Sequence, residues 1–255
     1  MNNLKQRVCL LVAIFAMGLM VHAQKSDLPA PKTVEQLTKE NEQLLRIKND
    51  WPNFGRYRDA NEKLGMPAQG ESRVVFMGNS ITDGWIRSSP EFFAGKPYVD
   101  RGISGQTTPQ MLCRFRADVI NLKPKVVLIL GGTNDIAGNT GPSTLEMIED
   151  NLASMAELAK ANKIRVILCS ILPVYDYPWK PGLQPAEKII TVNKWIQEYA
   201  AKNGCDYLDY FSSVVDDRKG MKAAYSQDGV HPNKEGYKVM EVLATDAINK
   251  ALKKH

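Results

Sequence analysis

From Arg73 onward, short apolar runs alternate with longer amphipathic ones. The short runs are Val74–Met77, Tyr98–Arg101, Val126–Leu130, Val166–Ile171 and Tyr207–Leu208. Most are continuously apolar or β-branched, the pattern of strands covered on both faces rather than on one. The stretches between them carry helical spacing. Leu145, Ile148, Leu152, Met155 and Ala159 form one stripe, opened by Ser143-Thr144-Leu145-Glu146, which has the Ser-x-x-Glu form of a capping box. Pro185 suits the first turn of a helix running to Asn203, and Gly204 is placed to end it. A last helix over roughly Lys234 to Lys253 directs Val239, Val242, Leu243, Ala247 and Leu252 toward the core. Alternation of this kind predicts a parallel sheet with right-handed crossovers and helices on both sides. No internal repeat or low-complexity tract interrupts it.

Two segments of different character precede this body. Lys5 and Arg7, the apolar run Val8 to Val21 and the small-residue site Val21-His22-Ala23 before Gln24 read as an export signal occupying residues 1–23. The run is too short to span a bilayer comfortably, so no stable membrane insertion is expected. Cys9 stands at the start of the run, where a lipid-anchored cysteine would stand at its end, which favours release. Residues 24–70 read as an extension packed on the body, with a helix over Thr33 to Lys48. Within it Asp50-Trp51-Pro52-Asn53-Phe54-Gly55-Arg56-Tyr57 is too aromatic for a linker. That stretch either packs against the body or forms a lip over its site. Residues 71–255 form the main domain.

The 255 residues suffice for one large α/β domain with a substantial core. The formal net charge of +5 falls to +3 once Lys5 and Arg7 leave with the signal, too weak and too evenly spread to suggest nucleic acid. Cys113, Cys169 and Cys205 remain after cleavage, so at least one thiol stays free, and Cys169 reads as a buried core thiol. Of three histidines, His22 lies in the signal and His255 ends the chain, which leaves His231. One interior histidine and no Cys-x-x-Cys leave no metal cage, and no metal or cofactor is expected.

Three polar, glycine-bearing turns follow the first three strands, at the strand ends where open parallel sheets bind ligands. The first is Gly78-Asn79-Ser80-Ile81-Thr82-Asp83-Gly84. Ser80 there is either a nucleophile presented at a strand tip beside a helix N-terminus or the N-cap of that helix. Neither a phosphate-loop pattern nor a Gly-x-Ser-x-Gly elbow occurs, since Thr82 takes the last glycine position. The second is Arg101-Gly102-Ile103-Ser104-Gly105-Gln106-Thr107-Thr108, where Gly105 has no side chain to mask a donor N–H, although a tight turn alone would explain it. The third is Gly131-Gly132-Thr133-Asn134-Asp135. The Asn134 amide could donate to a developing oxyanion, and Asp135 reads as a local hydrogen-bond partner. Asp228-Gly229-Val230-His231 is ordinary turn chemistry, yet it also holds the one interior imidazole, three residues from a carboxylate.

Taken in order, these blocks resemble the SGNH (GDSL-type) hydrolase family over Val74 to about Tyr237. The resemblance implies a flavodoxin-like three-layer α/β/α sandwich with a parallel sheet of about five strands. It implies Ser80 as nucleophile, Asp228 and His231 as the rest of a triad, and Ser80, Gly105 and Asn134 as the oxyanion hole. One departure stands out: Gly78-Asn79-Ser80 replaces the family's Gly-Asp-Ser, so a carboxylate is lost there. The middle of the chain is similar to the acetylhydrolase and carbohydrate acetylesterase branch. A hydrolase of longer acyl chains and a silent glycan-binding relative are the rivals. The loop Val174-Tyr175-Asp176-Tyr177-Pro178-Trp179-Lys180-Pro181-Gly182 leaves a strand's carboxyl end and should overhang Ser80. Its rings Tyr175, Tyr177 and Trp179, interleaved with Asp176 and Lys180, suit a small-molecule or glycan ester, or else pack the loop onto the body.

Overall fold

The computed structural model describes residues 31–253; the expected export signal lies outside them. By its own contacts the chain divides into Met1–Leu44 and Leu45–His255. The helix expected near the N-terminus is α1 (Val34–Asn49), and none of its residues is buried.

The second unit is built on one parallel sheet of β1 (Val74–Gly78), β2 (Tyr98–Gly102), β3 (Val126–Leu130), β4 (Arg165–Cys169) and β5 (Asp206–Leu208). Their order is β2-β1-β3-β4-β5, all neighbours parallel. The strands are covered on both sides, which is why they read as unbroken apolar runs. Val75, Met77, Val127, Ile129, Val166 and Leu168 face one core. That core is completed by α5 (Thr108–Asp118), α7 (Leu145–Ala161) and α8 (Ala186–Asn203). Val74, Phe76, Val126, Leu128, Leu130 and Ile167 face the other, completed by α3 (Ser80–Ser88), α4 (Pro90–Phe93) and α10 (Lys234–Lys253). The fold is the three-layer α/β/α sandwich expected. Short helices α2 (Arg58–Leu64), α6 (Thr133–Ile136) and α9 (Phe211–Val214) complete it.

Three details differ from the sequence pattern. β4 stops at Cys169 rather than Ile171 because the Asn193 side chain takes over the backbone there. Its Oδ1 accepts from Ile171 N (2.7 Å) and its Nδ2 donates to Ile171 O (2.9 Å), replacing a sheet ladder. The cap of α7 is Thr144, not Ser143: Thr144 Oγ1 accepts from Met147 N at 3.2 Å. In α10 the buried line is Tyr237, Met240, Ala244, Ile248 and Ala251. Val239, Leu243, Ala247 and Leu252 flank that line, and Val242 is 65% exposed. The expected residues other than Val242 therefore pack against the core from the flanks of the buried line rather than along it.

An aromatic cluster fixes α3, whose first residue is Ser80. Trp85 stacks on Phe92 (5.2 Å) and on Tyr237 (5.5 Å), and meets Phe76 edge-on at 5.7 Å. Such pairs contribute about 0.5–1.5 kcal/mol each beyond area burial. Tyr237 also donates its hydroxyl to Ile81 O at 2.7 Å, joining α10 to the first turn of α3.

On the far edge of the sheet, residues 50–64 are fastened to β2 and α5. Tyr57 donates to Gly102 O. Gln106 and Gln110 donate through Nε2 to Pro52 O (2.7 Å) and Trp51 O (2.8 Å). Asn61 Nδ2 donates to Asp118 Oδ1 at 2.8 Å. Among the described residues, no helix is long and apolar enough to cross a membrane.

The contact of α3 with β2 gives a direct test. A Cβ on Gly102 would stand 2.1 Å from Asp83 N and 2.6 Å from Thr82 C, both rigid backbone atoms. Gly102→Ala should therefore cost about 3 kcal/mol in urea unfolding, as overpacking does. A midpoint equal to that of the native chain would show that the helix is free to shift.

Candidate active site

Three strand tips stand on one line, since Gly78 pairs with Gly102 on one side and with Leu130 on the other. The turns after them therefore emerge side by side. In the first, Asn79 caps α3: its Oδ1 accepts from Ile81 N at 3.1 Å. An amide oxygen meets this need as well as a carboxylate would, so the Asn in place of Asp leaves the cap intact. Because Asn79 is the cap, the Ser80 hydroxyl is free for another partner. It finds His231 Nε2 at 2.9 Å, across 151 positions of sequence.

The imidazole is held from behind. Its Nδ1 lies 2.7 Å from Asp228 Oδ2. The other carboxylate oxygen, Oδ1, accepts from Val230 N (2.9 Å) and His231 N (2.8 Å). One carboxylate oxygen thus builds the turn and the other faces the ring. Gly229 makes the turn possible with φ +77°, and Ser226 braces it. The Ser226 Oγ accepts from Gly229 N (2.9 Å) and lies 2.7 Å from His231 O.

Burial alone would raise the Asp228 carboxyl, but hydrogen bonds from the His231 ring and then from the His231 and Val230 N–H groups hold it at about 2. It is therefore an anion at every pH where the imidazole can act as a base. The pair is open to solvent, with side-chain exposures of 38% for His231 and 42% for Asp228.

The second turn runs Ile103 to Gln106, closed by Gln106 N–H to Ile103 O at 3.3 Å. Gly105 sits at its third position with φ +80°, the left-handed conformation that a type II turn demands there. In the third turn Asn134 is buried at the start of α6. Its Nδ2 donates to Gln106 O at 2.8 Å, and its Oδ1 accepts from Asn139 Nδ2 at 3.0 Å. Both bonds together fix which way the amide faces. Asn139 escaped the sequence reading; the only hint was its place in a second glycine-bearing turn, Gly138 to Gly141.

Asp135 is the local partner expected. It accepts from Thr108 N and, at 2.6 Å, from Thr108 Oγ1, so it binds the N-terminus of α5 to the third turn. Burial pushes its carboxyl up to about 6 against those bonds. Asp83 was also missed. It accepts from Ser104 Oγ at 2.5 Å and pairs with Arg87 (3.0 Å) and Arg56 (3.7 Å), which ties α3 to the Gly105 turn. A cavity of about 670 Å³ opens beside this pair, but it is lined by Tyr57, Asp83 and Asp100 rather than by Ser80 or His231.

The three rings of the loop after β4 have separate fates. Trp179 is 47% exposed, with its ring centroid 6.2 Å from that of His231. Tyr175 is exposed further out, beneath the Arg218 guanidinium at 5.2 Å. Tyr177 corrects the expectation of a presented ring. It is buried, its hydroxyl 2.9 Å from both Thr133 O and Thr133 Oγ1, so it anchors the loop to α6. The loop's charges are structural as well. Asp176 accepts from the Tyr177, Gly182 and Leu183 N–H groups, and Lys180 Nζ donates to Ala137 O at 2.7 Å.

A hydroxyl, an imidazole and a carboxylate stand in one row over the carboxyl edge of a parallel sheet, the arrangement that suits a hydroxyl for nucleophilic attack on an acyl carbon. The chain belongs to the GDSL-like Lipase/Acylhydrolase family, whose model matches residues 76–239. It is 28% identical over 247 residues to an acetylxylan esterase of Xylanibacter ruminicola, covering 82% of this chain and 48% of that protein. The chain thus spans about half the length of that relative. It is 30% identical over 168 residues to Esterase TesA of Pseudomonas aeruginosa, covering 64% of this chain and 77% of that protein. A solved GDSL-like lipase from Bacteroides thetaiotaomicron VPI-5482 is 49% identical, with a TM-score of 0.77 over 78% of this chain and 98% of that one.

The Asp228 geometry sets a pH signature. Because the folded carboxyl titrates below its ordinary value of 3.8, the stability it contributes is full above that value and is lost as pH falls toward about 2. Denaturant unfolding of the native chain and of Asp228→Asn should differ near about pH 6, and the difference should shrink as pH falls below 3.8 and close only as it passes about 2. A gap that stays constant between the two would contradict the pairing.

Proposed function

We propose that the protein is an exported serine esterase that removes short acyl groups, acetyl above all, from carbohydrate esters. The observation that carries the chemistry is the row Asp228–His231–Ser80, at 2.7 and 2.9 Å. Ser80 Oγ attacks the ester carbonyl while His231 Nε2 takes its proton, and Asp228 stabilises the imidazolium that forms. The carbonyl oxygen becomes an oxyanion that accepts from the N–H groups of Ser80 and Gly105 and from Asn134 Nδ2. Collapse expels the alcohol, protonated by His231, and leaves an acetyl ester on Ser80. Water, deprotonated by the same imidazole, attacks that ester and returns the serine with release of acetate.

Two observations support the choice of substrate. The Asp228–His231 pair lies on an open face, accessible to a bulky polar alcohol arriving from outside. Trp179 then offers a flat ring beside the imidazole, suited to cover the apolar face of a sugar whose hydroxyls remain in water. The similarity to the X. ruminicola acetylxylan esterase supports the same reading. The export part rests on the first 23 residues alone.

Ser80→Ala and His231→Ala should each lower kcat by roughly 10³-fold or more on nitrophenyl acetate with the fold unchanged. Near-native turnover in either would sink the assignment. Acetyl esters should be turned over faster than palmitoyl esters; the reverse order would favour a long-chain hydrolase. Trp179→Ala should lose more activity on acetylated xylooligosaccharides than on nitrophenyl acetate, and an equal loss on both would assign Trp179 to packing.

A further inference from the structure

Arg114, on α5, is fully buried, and its guanidinium reaches three acceptors on three different segments. Nε donates to Gln106 Oε1 at 2.6 Å, Nη1 to Asp118 Oδ2 at 2.9 Å and Nη2 to Gly78 O at 3.0 Å. Gly78 ends β1 two residues before Ser80, and its carbonyl also accepts from Ile103 N at 3.1 Å. Gln106 ends the Gly105 turn, and its own carbonyl receives the Asn134 amide at 2.8 Å. One cation therefore bridges the segments that carry Ser80 and Gly105, and the Gln106 carbonyl links the second of these to Asn134. Asp118 neutralises it, and Asn61 braces Asp118 from the other side at 2.8 Å. The Gln106 side chain is committed at both ends, to Arg114 through Oε1 and to Pro52 O through Nε2 at 2.7 Å. Pro52 lies outside the segment that the family model matches.

We propose that Arg114 is a positioning residue for the oxyanion hole: through Gly78 and Gln106 it sets the spacing of the Ser80, Gly105 and Asn134 donors. The inference rests on the esterase reading above. Its physical basis is the planar fork of the guanidinium, which holds two carbonyl-type acceptors and a carboxylate in fixed directions at once. A hydrogen-bond donor in an oxyanion hole acts only if it stands where charge develops, so a small displacement lowers kcat while leaving ground-state binding alone.

Lysine keeps the charge opposite Asp118 but loses the fork, so Arg114→Lys is the informative change. Arg73→Lys is the matched control. Arg73 is equally buried and also holds two carbonyls and a carboxylate, Gly65 O (2.8 Å), Leu122 O (3.0 Å) and Glu71 (2.8 Å), but at the opposite end of β1. Arg114→Lys should lower kcat on nitrophenyl acetate by about 10- to 100-fold with KM within about threefold. The inhibition constant of phenylboronic acid, which forms a tetrahedral adduct on a serine, should rise by the same factor. Arg73→Lys should lower the unfolding midpoint and leave kcat and the boronate constant near native. If both variants lose only stability, or if Arg114→Lys raises KM with kcat unchanged, Arg114 is structural and the proposal fails. Should Arg114→Lys not fold, Gln106→Leu, which cuts the link to the turn and leaves the Arg114–Asp118 pair, must show the same kcat and boronate losses or the proposal fails. Ser80→Ala, run alongside, separates the two levels: turnover surviving in it would overturn the esterase reading itself.

Discussion

The site depends on the register of three parallel strands. Gly78, Gly102 and Leu130 stand opposite one another, so the chain leaves β1, β2 and β3 at the same height. Parallel strands are joined by long crossovers, which puts every such exit on one edge and makes that edge the place where distant segments meet. A hydroxyl, a turn N–H and a side-chain amide can then sit side by side without any loop reaching far. The imidazole comes on the turn before α10, which also carries the carboxylate that orients it. Glycine is needed where the layers touch. At Gly78 and Gly102 the first turn of α3 lies within 2.0 and 2.1 Å of where a Cβ would be.

Beneath the turns lies a layer of buried polar groups, several of which satisfy backbone that the sheet leaves open. Asn79 satisfies the N-terminus of α3, Asp135 that of α5, and Asn193 the backbone beyond β4. Arg114 and Asp118 face each other in the core, with Gln106 and Gly78 as further partners of the guanidinium and Asn61 as a further partner of the carboxylate. A buried ion pair of this kind contributes little net stability over an apolar pair, but losing one partner costs about 3–5 kcal/mol. Such groups therefore act mainly to specify one arrangement. Here the arrangement they specify is that of the reacting turns.

Much of this was legible in the chain. The strands β1 and β3 were, because burial on both faces writes an unbroken apolar run. The residues of the reacting row were, because the sequence left one imidazole and placed its serine at a strand tip. What escaped shares one cause: its meaning depends on a partner far away. Arg114, Asp83 and Asn139 are unremarkable polar residues until Gly78, Ser104 and Asn134 are brought beside them. Tyr177 looked like Trp179 in sequence, and only the nearness of Thr133 turned it inward. On α10 the expected stripe lies beside the buried line of Tyr237, Met240, Ala244, Ile248 and Ala251, and only Val242 points to solvent.

The central claim is that Ser80 alone is the activated nucleophile. A fluorophosphonate reacts with a serine only when a base has taken its proton and an oxyanion hole receives the phosphonyl oxygen. Intact-mass analysis after such treatment should show one added phosphonyl group, and peptide mapping should place it on Ser80 with activity lost in step. Labelling at another residue, or full esterase activity with Ser80 unlabelled, would contradict the account.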